Sequence, residues 1–120
     1  MAVQIHHVNI RTRDLEGTIA FYTEVVGLTN GYRPDFNFPG AWLYDSARPA
    51  VHVNLVGDEL GRSQSAFDHV AFAFDALDPI LARLDRLKIP YRGLKAVPGS
   101  NVRQCFVLDP NGVTVELQGP

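Results

Sequence analysis

The chain has 120 residues, 46% of them hydrophobic and 20% charged, which is ordinary globular composition and excludes a disordered or fibrous protein. A net charge of −2 with no basic cluster argues against a nucleic-acid partner, and no run is apolar and long enough to span a membrane. The start lacks the basic and apolar regions of a secretory signal, and the single cysteine, Cys105, cannot close an internal disulfide, so a cytoplasmic protein is expected.

Residues 3–11 read as a strand. Asp14 then stands as the N-cap of a helix whose inner face carries Leu15, Ile19, Tyr22 and Val26 at helical spacing. Gly27 stops that helix, because glycine tolerates the left-handed conformation past a helix end. Strands over 28–33 and 41–45 follow, separated by the turn-rich run Arg33 to Gly40, and a further strand covers 50–56. The polar, glycine-containing stretch 57–66 is a linker. A strand over 67–74 opens the second half. Its helix is expected to begin with Asp78 as cap and Pro79 in the first helical position, burying Leu77, Leu81, Leu84 and Leu87, and to end before Pro90. Strands over 91–96, 102–108 and 113–118 complete the chain, the last two joined by the turn Asp109-Pro110-Asn111-Gly112.

The order is strand, helix and three strands, used twice. His7-Val8 recurs 62 residues later as His69-Val70, and the same offset carries Asn54 onto Glu116. The expected architecture is therefore α+β, one domain built from two βαβββ modules, about 3–56 and 67–118. Strand side chains alternate between faces. Val8 and Ile10, Val51 and Val53, Val70 and Phe72, and Val115 and Leu117 fall on apolar faces. His7 and Asn9, His52 and Asn54, His69 and Ala71, and Glu116 and Gln118 fall on the others. A polar face is ordinarily just the solvated side of a sheet. Here it gathers His7, His52, His69 and Glu116 at matching places, and two histidines with one carboxylate leave positions on a metal open for substrate.

The segment from His7 through Asp14, Phe21-Tyr22 and Gly27-Leu28 resembles the first module of the vicinal oxygen chelate superfamily, which includes glyoxalase I, fosfomycin- and bleomycin-resistance proteins and extradiol dioxygenases. Phe67-Asp68-His69-Val70-Ala71-Phe72 and the run from Phe106 through Asp109-Pro110-Asn111-Gly112 to Glu116-Leu117 fit its second module. The resemblance implies paired modules curled into a half-barrel mixed sheet, a small-molecule substrate held through vicinal oxygens with an enolate or oxyanion stabilised, and a homodimer. It places His7, His69 and Glu116 on the metal positions, for a divalent ion such as Fe2+, Ni2+, Zn2+, Mn2+ or Co2+. The fourth position, glutamate in glyoxalase I, falls by the internal offset on Asn54, a weak ligand. His52, two residues away, could replace it or act as acid/base, and is the catalytic candidate. The extradiol enzymes carry a tyrosine where this chain has Phe106. The expected activity is a metal-dependent lyase or isomerase or a ring-cleaving dioxygenase. The alternatives are a metal-free antibiotic-sequestering protein, which Phe36, Trp42 and Tyr44 would suit, and a fosfomycin-type thiol transferase.

Overall fold

The computed structural model describes residues 5–57 and 69–120. The expected linker lies outside the described residues except for Gly57, as do the first residues of the strands placed at 3–11 and 67–74. The chain divides into two compact units, residues 1–63 and 64–120.

The first unit runs β1 (Val8–Thr12), α1 (Leu15–Ala20), a π-helical segment (Phe21–Val26), β2 (Thr29–Gly31), β3 (Gly40–Tyr44) and β4 (Pro49–Leu55). Its sheet order is β1-β4-β3-β2, with β1 and β4 parallel and the other pairs antiparallel. The second runs β5 (Val70–Ala73), α2 (Asp78–Leu87), β6 (Arg92–Ala96), β7 (Arg103–Leu108) and β8 (Thr114–Gly119), in the equivalent order β5-β8-β7-β6. The fold is α+β, with two four-stranded mixed sheets built on one βαβββ plan. No helix among the described residues is long and apolar enough to cross a membrane.

Asp14 caps α1 as its position predicts, its Oδ1 accepting from the Gly17 amide at 2.9 Å. The stripe behind it differs from expectation. Thr18, Phe21, Tyr22, Val25 and Val26 are buried, whereas Leu15 and Ile19 are only half-buried. Tyr22 and Val26 are buried as the spacing requires, and the wider turn of the π-helical segment adds Phe21 and Val25 to the buried face, while the α-helical part buries Thr18 in place of Leu15 and Ile19. Gly27, at φ 96°, ends it, and its amide and that of Leu28 both donate to the Tyr22 carbonyl. In the second unit the N-cap is Leu77, and Asp78 is already helical. The Asp78 carboxylate bonds Arg103 Nη2 at 2.9 Å instead of capping. Leu77, Ile80 and Leu84 are buried there, while Leu81 and Leu87 are half-buried.

The apolar faces are as the alternation requires. Ile10, Val51, Val53, Leu43, Val115, Leu117, Val107 and Cys105 are all buried. In the first unit α1 packs against β3 and β4. The helix covers one face, so functional side chains are left to the other.

Candidate functional site

In the first unit the polar face of the sheet carries a column of rings. β1 and β4 bring Asn9 opposite His52, and β3 brings Trp42 opposite His52 from the other side. His7 precedes β1 and folds over the same face. Its ring stacks on His52 at 3.8 Å and 9°, and Trp42 stacks on the far side of His52 at 4.2 Å and 11°. His52 is thus held between two flat rings and is 9% exposed, although it lies on the polar face.

The Nε2 atom of His52 is buried without a hydrogen-bond partner among the described residues. Burial pushes the imidazole below its usual pKa, and the charge of His7 acts in the same direction. The Pro49 backbone opposes this, and His6 and Arg33 add smaller depressions. The shift favours the uncharged imidazole at neutral pH.

In a strand covering 3–11, alternation would turn His6 away from His7. Neither residue is in a strand, however, and their Nδ1 atoms lie 2.8 Å apart. One Nδ1 donates and the other accepts. When His7 is the donor, its Nε2 lone pair is left available for a metal.

The second unit repeats the arrangement with different chemistry. β5 and β8 pair Val70 with Val115 and Ala71 with Glu116, as β1 and β4 pair Val8 with Val51 and Asn9 with His52. The structural counterpart of Glu116 is therefore His52, not Asn54. β8 has moved two residues against the offset of the first strands, because the connections between them differ in length. The equivalence places His69 and Glu116 where the first unit has His7 and His52, and His69 Nε2 lies 3.5 Å from Glu116 Oε1. Phe106 stands opposite Glu116, the place of Trp42 in the other sheet, and meets the His69 ring edge-on at 5.8 Å. Asn54, at the end of β4, lies opposite Gly40 and Arg11.

Among the described residues no group of three or more His, Cys, Asp or Glu could hold an ion by itself. Each unit offers a pair. The His69–Glu116 pair fits a divalent ion, since 3.5 Å is the separation of two ligands that each stand ~2.0–2.2 Å from one metal. The donor types, imidazole and carboxylate, suit the divalent transition metals from manganese to zinc.

The turn-rich run 33–40 supplies what the sequence pattern missed. The Arg33 guanidinium carbon lies 4.8 Å from the centre of the Phe36 ring and 4.9 Å from that of Phe38, and Phe36 is 6.1 Å from Trp42. Tyr44, placed with these aromatics by its sequence, instead donates its hydroxyl to the Tyr32 carbonyl at 2.6 Å. Run 33–40 has no hydrophobic period, and only its density of aromatics beside an arginine signalled it.

Comparison with known proteins gives the arrangement a family. Residues 4–117 match the family model described as Glyoxalase/Bleomycin resistance protein/Dioxygenase superfamily. The chain is 28% identical to Glyoxylase I 4 of Arabidopsis thaliana, over 94% of this chain and 68% of that protein. It is 27% identical to the lactoylglutathione lyase of Haemophilus influenzae, over 96% and 91%. Among solved structures, a glyoxalase family protein from Bacillus anthracis superposes with a TM-score of 0.81 at 22% identity, covering 99% of this chain and 96% of that one. With the family model spanning nearly the whole chain and the same fold in that neighbour, the protein belongs to the glyoxalase/bleomycin resistance/dioxygenase superfamily.

Proposed function

We propose that the protein is a divalent-metal-dependent enzyme of lyase or isomerase type, acting on a small oxygenated substrate. The observation that carries this reading is the structural equivalence of His7–His52 with His69–Glu116. A binder with no use for a metal has no reason to keep a pair of possible ligands at equivalent places in both modules, two imidazoles in the first and an imidazole with a carboxylate in the second. In this reading the chain works as a single domain within a homodimer. His7, His69 and Glu116 would hold the ion, which when bound would supply Lewis acidity toward a substrate oxyanion.

The remaining chemistry belongs to the protein. His52 receives a proton at Nε2, for which its lowered pKa and the unpartnered Nε2 prepare it. Trp42 and His7 fix the plane of its ring. Glu116 orients His69. Phe106 excludes water beside that pair and has no hydroxyl to donate, which favours lyase or isomerase chemistry over ring cleavage.

Elemental analysis of untagged protein tests the reading, with Glu116→Ala and His52→Gln alongside wild type. About one transition metal per chain in wild type, lost in Glu116→Ala but retained in His52→Gln, is the expected result. Loss of metal in His52→Gln would make His52 a ligand instead of a base. Wild type that takes up no metal even on reconstitution would sink the proposal. It would favour a metal-free binder of aromatic ligands, for which Phe36 and Phe38, 41% and 42% exposed, are the supporting feature.

A further inference from the structure

Three buried side-chain atoms among the described residues lack a hydrogen-bond partner: His52 Nε2, Arg33 Nε and Arg33 Nη2. All three belong to the first unit, and they lie on the same face of its sheet. Gly40 stands opposite Asn54 and shares a face with Trp42, and a Cβ on Gly40 would come 2.8 Å from Arg33 Nη2. The guanidinium therefore occupies the space that a side chain at position 40 would fill, beside the ring column. Its charge is near enough to act on His52.

The identity of the unpartnered atoms is informative. Nε and Nη2 carry N–H bonds that point the same way along one edge of the guanidinium. That edge matches both oxygens of a carboxylate. Burying two charged donors without an acceptor is costly, and native structures seldom leave such groups unsatisfied without a functional reason. Phe36 and Phe38 close over the cation and offset part of the cost through their ring faces, but a ring face cannot replace two hydrogen bonds. The ion pairs of His69 with Glu116 and of Asp78 with Arg103 lie in the second unit, and none among the described residues takes up Arg33.

We propose that Arg33 is the anion-recognition residue of this site, taking a substrate carboxylate along its Nε–Nη2 edge when Phe36 and Phe38 part. The substrate is then an oxygenated carboxylic acid, with its proton-bearing group turned to His52 Nε2. The placement of that group rests on the function proposed above; binding of the carboxylate at Arg33 does not. Phe36, Phe38 and Trp42 favour an aromatic substituent.

Trp42 is the only tryptophan in the chain, so its emission reports on this face directly. The probes are mandelate and its neutral amide, mandelamide, titrated in the presence of EDTA into wild type, Arg33→Lys and Arg33→Gln, with circular dichroism confirming that each is folded. Wild type is expected to bind mandelate at least tenfold more tightly than mandelamide. Arg33→Gln should weaken mandelate by about 10–100-fold, the loss of a paired charged hydrogen bond, and leave mandelamide unchanged. Arg33→Lys, which keeps the charge but not the two-donor edge, should fall between them.

Failure of mandelate to bind, equal binding of acid and amide, or indifference to Arg33→Gln would overturn the proposal. Mandelate binding that disappears in EDTA, returns with manganese or zinc and ignores Arg33→Gln would show that the ion alone takes the carboxylate. That result would sink the role of Arg33 and leave the metal reading intact. Arg33-dependent binding in a protein that takes up no metal would do the reverse.

Discussion

The two helical segments end in the same backbone conformation with different residues. In the first unit the terminating residue is Gly27, at φ 96°; in the second it is Lys88, at φ 59° and ψ 39°. Lys88 is the one non-glycine residue with positive φ among the described residues. A side chain in the left-handed region costs about 1–2 kcal/mol through the clash of Cβ with the following carbonyl. Lys88→Gly removes that cost but gives the unfolded chain more freedom, worth about 0.5–1 kcal/mol in the other direction. The backbone bonds that close the helix, Lys88 N–H to the Asp85 carbonyl and Ile89 N–H to that of Leu84, do not involve the side chain and are kept. The net expectation is a gain of about 0.5–1 kcal/mol. With an unfolding entropy of about 2.1 cal/mol/K per residue, unfolding of the whole chain as one unit converts this into a rise in Tm of roughly 2–4 °C. Thermal melts and urea titrations of wild type, Lys88→Gly and Lys88→Ala would measure it. Alanine keeps the strained backbone and loses only the exposed side chain, so it should match wild type. Lys88→Gly no more stable than Lys88→Ala would refute the argument that strain at this cap is stored in Cβ.

Other perturbations read the interior. Thr12→Val keeps the shape of a fully buried side chain but removes the acceptor of the Asp14 amide at 2.9 Å and a hydroxyl 3.1 Å from Thr18 Oγ1. It should cost about 1–3 kcal/mol, with the Asp14 amide losing protection in hydrogen exchange. Leu84→Ala empties a site with 0% exposure and should cost about 2–5 kcal/mol in denaturant titrations. Cys105 has its thiol pKa raised first by burial and second by the negative charge of Glu116. Native protein should resist iodoacetamide at pH 8 and react only when unfolded. The raised folded pKa favours the thiol, so its contribution to stability is full below the unfolded value and is lost as pH climbs above about 9. Cys105→Ala should therefore flatten the alkaline fall of the urea midpoint, and an unchanged slope would count against it.

Much of this was legible in the sequence because it depends on period. The alternation of Val51, Val53, Val115 and Leu117 with polar neighbours gave the strands and their buried faces, and Asp14 gave the start of α1. Period carries no information about register between distant strands, however. Counting residues made Asn54 the counterpart of Glu116, whereas the ladders within each sheet give that place to His52, since register follows from the lengths of intervening turns. The π-helical segment was hidden for a related reason: one extra residue in a turn leaves composition untouched and rotates everything after it. Arg33, Phe36 and Phe38 lie where no repeat exists, and only the three-dimensional structure brings the cation against the two rings.

The parallel pairing of first and last strands in each unit has a consequence for synthesis. Within the described residues β1 is bonded only to β4 in its sheet, and β5 only to β8, so the earliest strand of each module waits for that partner until the latest is made. Closing such a long loop is slow, since the chain gives up its freedom before the ladder is formed to compensate. A nascent chain emerging from the ribosome can form α1 and the β2–β3 hairpin early, but residues 8–12 remain unpaired until 49–55 have cleared the tunnel. The histidine stack belongs to that same pair of strands, so it forms among the last contacts of its module. A stalled or truncated chain would consequently carry an exposed strand edge and no assembled ring column, which a protease can tell apart from finished protein.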